Sequence, residues 1–189
     1  SPAFSETDLA ELLQFADHIM FNSCSQLLRF KALCEQAKLA RPELQFGLRI
    51  NPEYSEGSVL LYDPCAKGSR LGITREQLDC YLAQDDFRQA FKLISGLHFH
   101  TLCEQEFLPL QRTLAVVEEK FSDLLTAMTW VNFGGGHHIT HPDYQRDALV
   151  ECIKKFRNRY QDNANKTSTH KQNLLVSYLS PVDELASYD

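Results

Sequence analysis

Three consecutive glycines, Gly134, Gly135 and Gly136, close the short apolar run from Trp130 to Phe133. Glycine loses more backbone freedom on folding than any other residue, so such a run at a strand end needs a reason. Bare backbone can approach a ligand closely and aim several N–H groups at one anion, most often a phosphate. The plainer reading is a tight strand-to-helix turn, which one glycine would satisfy. A second group lies upstream in His98-Phe-His100, where an extended backbone places both imidazoles on one side. With His137, His138 and His141, these residues would also suit the zinc of a metal-dependent hydrolase. Against that, no HExxH pattern occurs, and zinc chemistry does not call for a glycine triplet. A histidine packed into the core is the bland alternative.

A phosphate site beside a strand-end histidine fits a phosphorylated ring compound. The imidazole stacks on the ring while glycine amides hold the phosphate. Pyridoxal phosphate meets that description, and so does a phosphosugar.

The elements that must position these groups alternate along the chain. Ser5 caps a helix with Asp8 at the box position, and Leu9, Leu12, Leu13 and Ala16 keep its period. His18–Phe21 reads as a strand, Asn22–Ser25 opens a second helix, and Phe46–Ile50 is the next strand. A long loop covers Glu53 to Ser69, which in a compact domain is usually functional. Thr74, with Gln77, caps another helix, and Leu93–His100 is a strand. Phe107–Leu125 is strongly amphipathic with Pro109 near its start. Beyond the glycines, Asp147–Tyr160 forms a helix, Gln161–Gln172 is a linker without period, and Leu174–Leu179 is a further strand. This order predicts an α/β fold with a parallel sheet, either doubly wound or a partial (β/α)8 TIM barrel. Asn51, His100–Glu104 and Gly134–His138 all follow strands, the end where both folds place ligand chemistry.

The chain has 189 residues, 43% hydrophobic, with a formal charge of −6, the balance of an ordinary globular protein. That acidity argues against nucleic acid or an anionic membrane as partner. No apolar run approaches the ~20 residues of a membrane span. Six cysteines without a CxxC pair read as reduced thiols of a cytoplasmic protein, mostly core filler.

Four stretches carry a specific resemblance. Gly47-Leu-Arg-Ile-Asn-Pro-Glu53, Tyr62-Asp-Pro-Cys-Ala66 with Gly68-Ser-Arg-Leu-Gly-Ile73, Gly96-Leu-His-Phe-His-Thr-Leu-Cys-Glu-Gln105 and Trp130–Ile139 closely resemble the carboxynorspermidine (carboxyspermidine) decarboxylases. Ser1–Glu6 does so as well, and the match runs to about Tyr160. These are pyridoxal-phosphate decarboxylases of the alanine racemase and ornithine decarboxylase type. The resemblance implies a barrel with a C-terminal β-domain, in a cytoplasmic homodimer with active sites at the subunit boundary. The reaction implied is loss of CO2 from carboxynorspermidine or carboxyspermidine in polyamine synthesis. By the same resemblance His100 stacks on the pyridine ring, Gly134, Gly135 and Gly136 cradle the phosphate, Cys103 sits on the phosphate side, and Arg49 is a structural or cofactor-side arginine. Ser69, Arg70, Glu104 and His137 fall near the active-site face.

The departures from the family matter too. The Schiff-base lysine would precede Ser1, and the Glu-Pro-Gly segment that pairs with the pyridine nitrogen is not found. The expectation is therefore a partial cofactor-binding barrel over residues 1–160 and a divergent tail over 161–189, without turnover of its own. The alternative is a non-catalytic barrel relative that binds a phosphate ligand or a decarboxylase subunit.

Overall fold

The structure, a computed structural model, describes residues 2–57, 63–167 and 175–177, with side chains as far as Tyr160. Tyr62 of the long loop lies outside them, as do residues 168–174 and 178–189 of the predicted tail. Helix α1 (Glu6–Phe15) starts as its sequence dictates, with Ser5 accepting from the Asp8 amide and Asp8 accepting from the Ser5 amide. Such caps contribute about 1 kcal/mol each. Then come β1 (His18–Phe21), α2 (Cys24–Ala40) and β2 (Gln45–Arg49). Arg41 donates to the Leu13 and Ala16 carbonyls at the end of α1, which ties the first two helices together.

The helix predicted from Thr74 arrives as two, α3 (Arg75–Leu82) and α4 (Asp85–Phe91), broken at Ala83-Gln84. The break lets Phe87 and Ala90 bury themselves beneath α2 and α3. Strand β3 (Ile94–His98), α5 (Phe107–Leu125) and β4 (Trp130–Asn132) follow. Pro109 sits in the first turn of α5, where its missing N–H removes no helical bond. The last helix, α6 (Arg146–Thr167), runs past the break predicted at Tyr160, and β5 (Leu175–Ser177) lies within the predicted final strand.

All pairings are parallel, and the strand order is β1-β2-β3-β4-β5. Among the described residues, strands adjacent in sequence are adjacent in space, without the order reversal that marks a doubly wound sheet. This is a partial (β/α)8 barrel.

Alternation gives the sheet two faces. One carries Ile19, Phe21, Phe46, Leu48, Leu97 and Val131, all buried, and continues into Phe99 and Phe133, whose rings lie in tilted contact. The other carries Gly47, Gly96 and Trp130 in one row, then Arg49, His98 and Asn132 in the next. Gly47 and Gly96 lie beneath the indole; a Cβ on Gly96 would come within 2.0 Å of Trp130. Trp130 thus plugs the concave face and forms a floor under the polar row above it. Among the described residues no helix is long and apolar enough to cross a membrane.

Candidate functional site

The polar row and the loops beyond it meet at the carboxyl ends of β2, β3 and β4. The glycine turn leaves β4 with Gly134 at φ +75° and Gly136 at φ +85°, a region that glycine alone enters readily. It also presses against the chain leaving β3. A Cβ on Gly134 would lie 2.6 Å from the Phe99 carbonyl oxygen, and one on Gly136 would lie 2.3 Å from that of Leu102. Two of the glycines are therefore required by backbone geometry. Gly135 is not: its φ lies outside the left-handed region and nothing stands within 4 Å of where its Cβ would be. The surplus glycine faces open space.

His100 stands against this turn. The Gly135 N–H donates to its Nδ1 at 3.1 Å. Burial, with the Arg49 charge, holds the imidazole below its usual pKa, so the ring is neutral. On β4, Asn132 is buried, and its Oδ1 accepts from the Gly134 N–H at 2.8 Å. The same oxygen lies 3.0 Å from His98 Nδ1. His98 is pushed down to about 4, chiefly by burial. Arg49 aligns with His98 across β2 and β3 and is half-buried. No carboxylate among the described residues forms a salt bridge with it, although a carboxylate partner is one role its sequence position allows.

Cys103 is exposed, and its amide donates to Gln105 Oε1 at 3.3 Å. Its nitrogen would lie 3.2 Å from a Cβ on Gly136, so it flanks the turn. Glu104, at φ +51°, reaches His138 Nε2 at 4.0 Å. His137 Nδ1 pairs with the Tyr144 hydroxyl at 2.6 Å, while its Nε2 is buried without a partner. His138 stacks on His141. Among the described residues no group of three or more His, Cys, Asp or Glu could hold a metal, so these histidines do not converge as a zinc site would need. The loop after β2 is strapped over this end by Glu56, which pairs with Arg112 on α5 and, through its carbonyl, with Gln105.

A carboxynorspermidine/carboxyspermidine decarboxylase of Campylobacter jejuni is 39% identical over 160 residues, covering 85% of this chain and 38% of that protein. Over those residues the chain is homologous to that decarboxylase family. A carboxyaminopropylagmatine decarboxylase of Synechocystis is 36% identical over the same span of 160 residues, 85% of this chain and 38% of that one. The crystal structure of the Campylobacter jejuni carboxynorspermidine decarboxylase complexed with norspermidine superposes with TM-score 0.70 at 33% identity, over 94% of this chain and 38% of that one. A diaminopimelate decarboxylase superposes with TM-score 0.66 at 14% identity, over 94% of this chain and 40% of the other, which shows a shared fold. No protein-family profile matches the chain. The chain spans less than two-fifths of the length of the carboxynorspermidine and carboxyaminopropylagmatine decarboxylases it matches.

Against this carboxynorspermidine decarboxylase background, the structure brings His100, Gly134, Gly135, Gly136 and Cys103 together and sets Arg49 one row below. It also reveals Asn132, which sequence reasoning passed over. An asparagine inside an apolar run two residues before a glycine was the available signal, because a buried amide needs partners nearby.

Proposed function

We propose that this chain supplies the cofactor-holding end of a pyridoxal-phosphate decarboxylase acting on carboxylated polyamines, carboxynorspermidine or carboxyspermidine. One observation carries the reading: the glycine whose side-chain position is open, Gly135, is hydrogen-bonded directly to His100. Ring and anion sites are thereby one residue contact apart, the separation a single small phosphorylated ring requires.

In this reading His100 offers a neutral imidazole face to the pyridine ring. The amides of Gly134 and Gly135 already have protein acceptors, so the phosphate falls to the Gly136 amide and the gap beside Gly135, with Cys103 at its flank. Arg49 adds a positive charge without a carboxylate partner among the described residues, which draws an anionic ligand to the concave face. The bound coenzyme supplies an electron sink for the bond broken when CO2 leaves. The chain's residues hold and orient it; Trp130 closes the floor beneath and keeps water from that side.

We assign no Schiff-base lysine within these residues. Lys120 is engaged by Glu53 and the Pro52 carbonyl, and Lys38 by the Pro42 carbonyl. No lysine of this sequence stands at a strand end in the family's context, so the 189-residue polypeptide is read as releasing no CO2 by itself. The barrel portion is read as residues 1–160 together with the rest of α6 to Thr167 and β5, in a cytoplasmic protein that works as a homodimer. The choice among carboxylated polyamines lies outside the residues assigned here.

The test is a titration of the full-length protein with pyridoxal phosphate, and in parallel with pyridoxal, which lacks the phosphate. Gly135→Ala should keep its circular dichroism spectrum, lose about tenfold or more in affinity for the phosphorylated form (~1.4 kcal/mol per tenfold) and bind pyridoxal as before. Unchanged affinity for pyridoxal phosphate would remove the phosphate from this turn.

A further inference from the structure

The first two amides of the glycine turn donate to the Asn132 side chain and to His100 rather than to a ligand. A backbone N–H can only donate. The side-chain atom of Asn132 that lies 2.8 Å from the Gly134 nitrogen must then be its oxygen, and the usual ambiguity of an amide side chain is resolved. His98 Nδ1 lies 3.0 Å from that same oxygen, so it must carry a proton there. At His100 the logic reverses. The Gly135 N–H, 3.1 Å away, needs a lone pair on Nδ1, which places the ring proton on Nε2.

We infer that Asn132 and the glycine turn form a tautomer lock, holding His98 as the Nδ1–H imidazole and His100 as the Nε2–H imidazole. Histidine side chains in water favour the Nε2–H form, so His98 is in the less common state and needs a device to keep it there. Asn132 is that device. Burial of both rings opposes the second proton that would erase the distinction. Two neighbouring rings of the same residue type thus offer opposite functions at their remaining nitrogens: an acceptor on His98 and a donor on His100. Asn132 is a positioning residue, acting on the face through His98 and through the Gly134 amide. A change in Asn132 would alter which polar groups of a ligand that face can match.

The experiment is nitrogen NMR of the full-length protein labelled with ¹⁵N-histidine, recorded at neutral pH without added cofactor. Long-range nitrogen–proton correlations distinguish protonated from bare ring nitrogens, and His98→Gln and His100→Gln assign the two rings. One ring should show a protonated Nδ1 and the other a protonated Nε2. Asn132→Ala should shift the His98 ratio about tenfold toward Nε2–H, equivalent to ~1.4 kcal/mol, and leave His100 unchanged. Asn132→Asp, which keeps an acceptor oxygen, should restore the Nδ1–H form. Equal tautomers in the wild-type protein, a doubly protonated ring, or an Nε2–H His98 in Asn132→Asp would overturn the lock. The wild-type and Asn132→Asp spectra decide the matter even where Asn132→Ala does not fold. Because no cofactor is added, the outcome is independent of the pyridoxal phosphate titration.

Discussion

His98 ties the site to the stability of the fold through its proton. In the unfolded chain it binds a proton near 6.5; in the folded protein burial delays this to about 4. Between those values the unfolded state holds more protons, so stability is full above about 6.5 and is lost as pH falls toward 4. The loss is on the order of 3 kcal/mol, since every tenfold weakening of proton binding is worth ~1.4 kcal/mol. His100 and His137, both lowered by burial, act in the same direction. Urea unfolding at a series of pH values should show the midpoint falling across this window. His98→Gln, which retains an N–H for Asn132, should flatten that dependence, and an unaltered slope would mean the ring is not titrating there. His100→Ala should weaken pyridoxal phosphate about three- to tenfold, the worth of one aromatic stack. Equal affinity would place the ring elsewhere.

At the level of elements, the glycines divide by what surrounds them. Gly136→Ala drives a Cβ to 2.3 Å from a carbonyl at a positive φ and should destabilise the protein by about 1–3 kcal/mol, while Gly135→Ala should be nearly neutral for folding. Gly96→Ala collides with Trp130 and should cost a similar amount. Combining it with Trp130→Leu should recover part of the loss, because residues in contact couple by roughly 0.5–3 kcal/mol in double-mutant cycles. Strictly additive effects would show that the indole does not lie over Gly96. Much of this was legible beforehand. Ser5 with Asp8 and Thr74 with Gln77 announced their helices, and the strand-end position of His100 and Gly134–Gly136 followed from the alternation of elements. The reason for the triplet was not legible. Sequence shows three glycines; only the packing of the turn against Phe99 and Leu102 separates the two that the backbone needs from the one it does not. The break between α3 and α4 was likewise set by tertiary packing, the burial of Phe87 and Ala90, rather than by any local stop signal.

For the whole molecule, the sheet order decides between the two α/β folds that composition and alternation left open. Five parallel strands in sequence order curve as part of a barrel, with an apolar outer face under the helices and a polar row on the inner one. The chain is similar in sequence and fold to carboxynorspermidine/carboxyspermidine decarboxylases over 38% of their length. The most direct measurement is a crystal structure of the full-length protein grown with pyridoxal phosphate. The pyridine ring should lie flat against His100, with the phosphate oxygens within hydrogen-bond distance of the Gly136 amide and beside Gly135. A coenzyme bound away from His100, or a phosphate held by a different loop, would contradict the account.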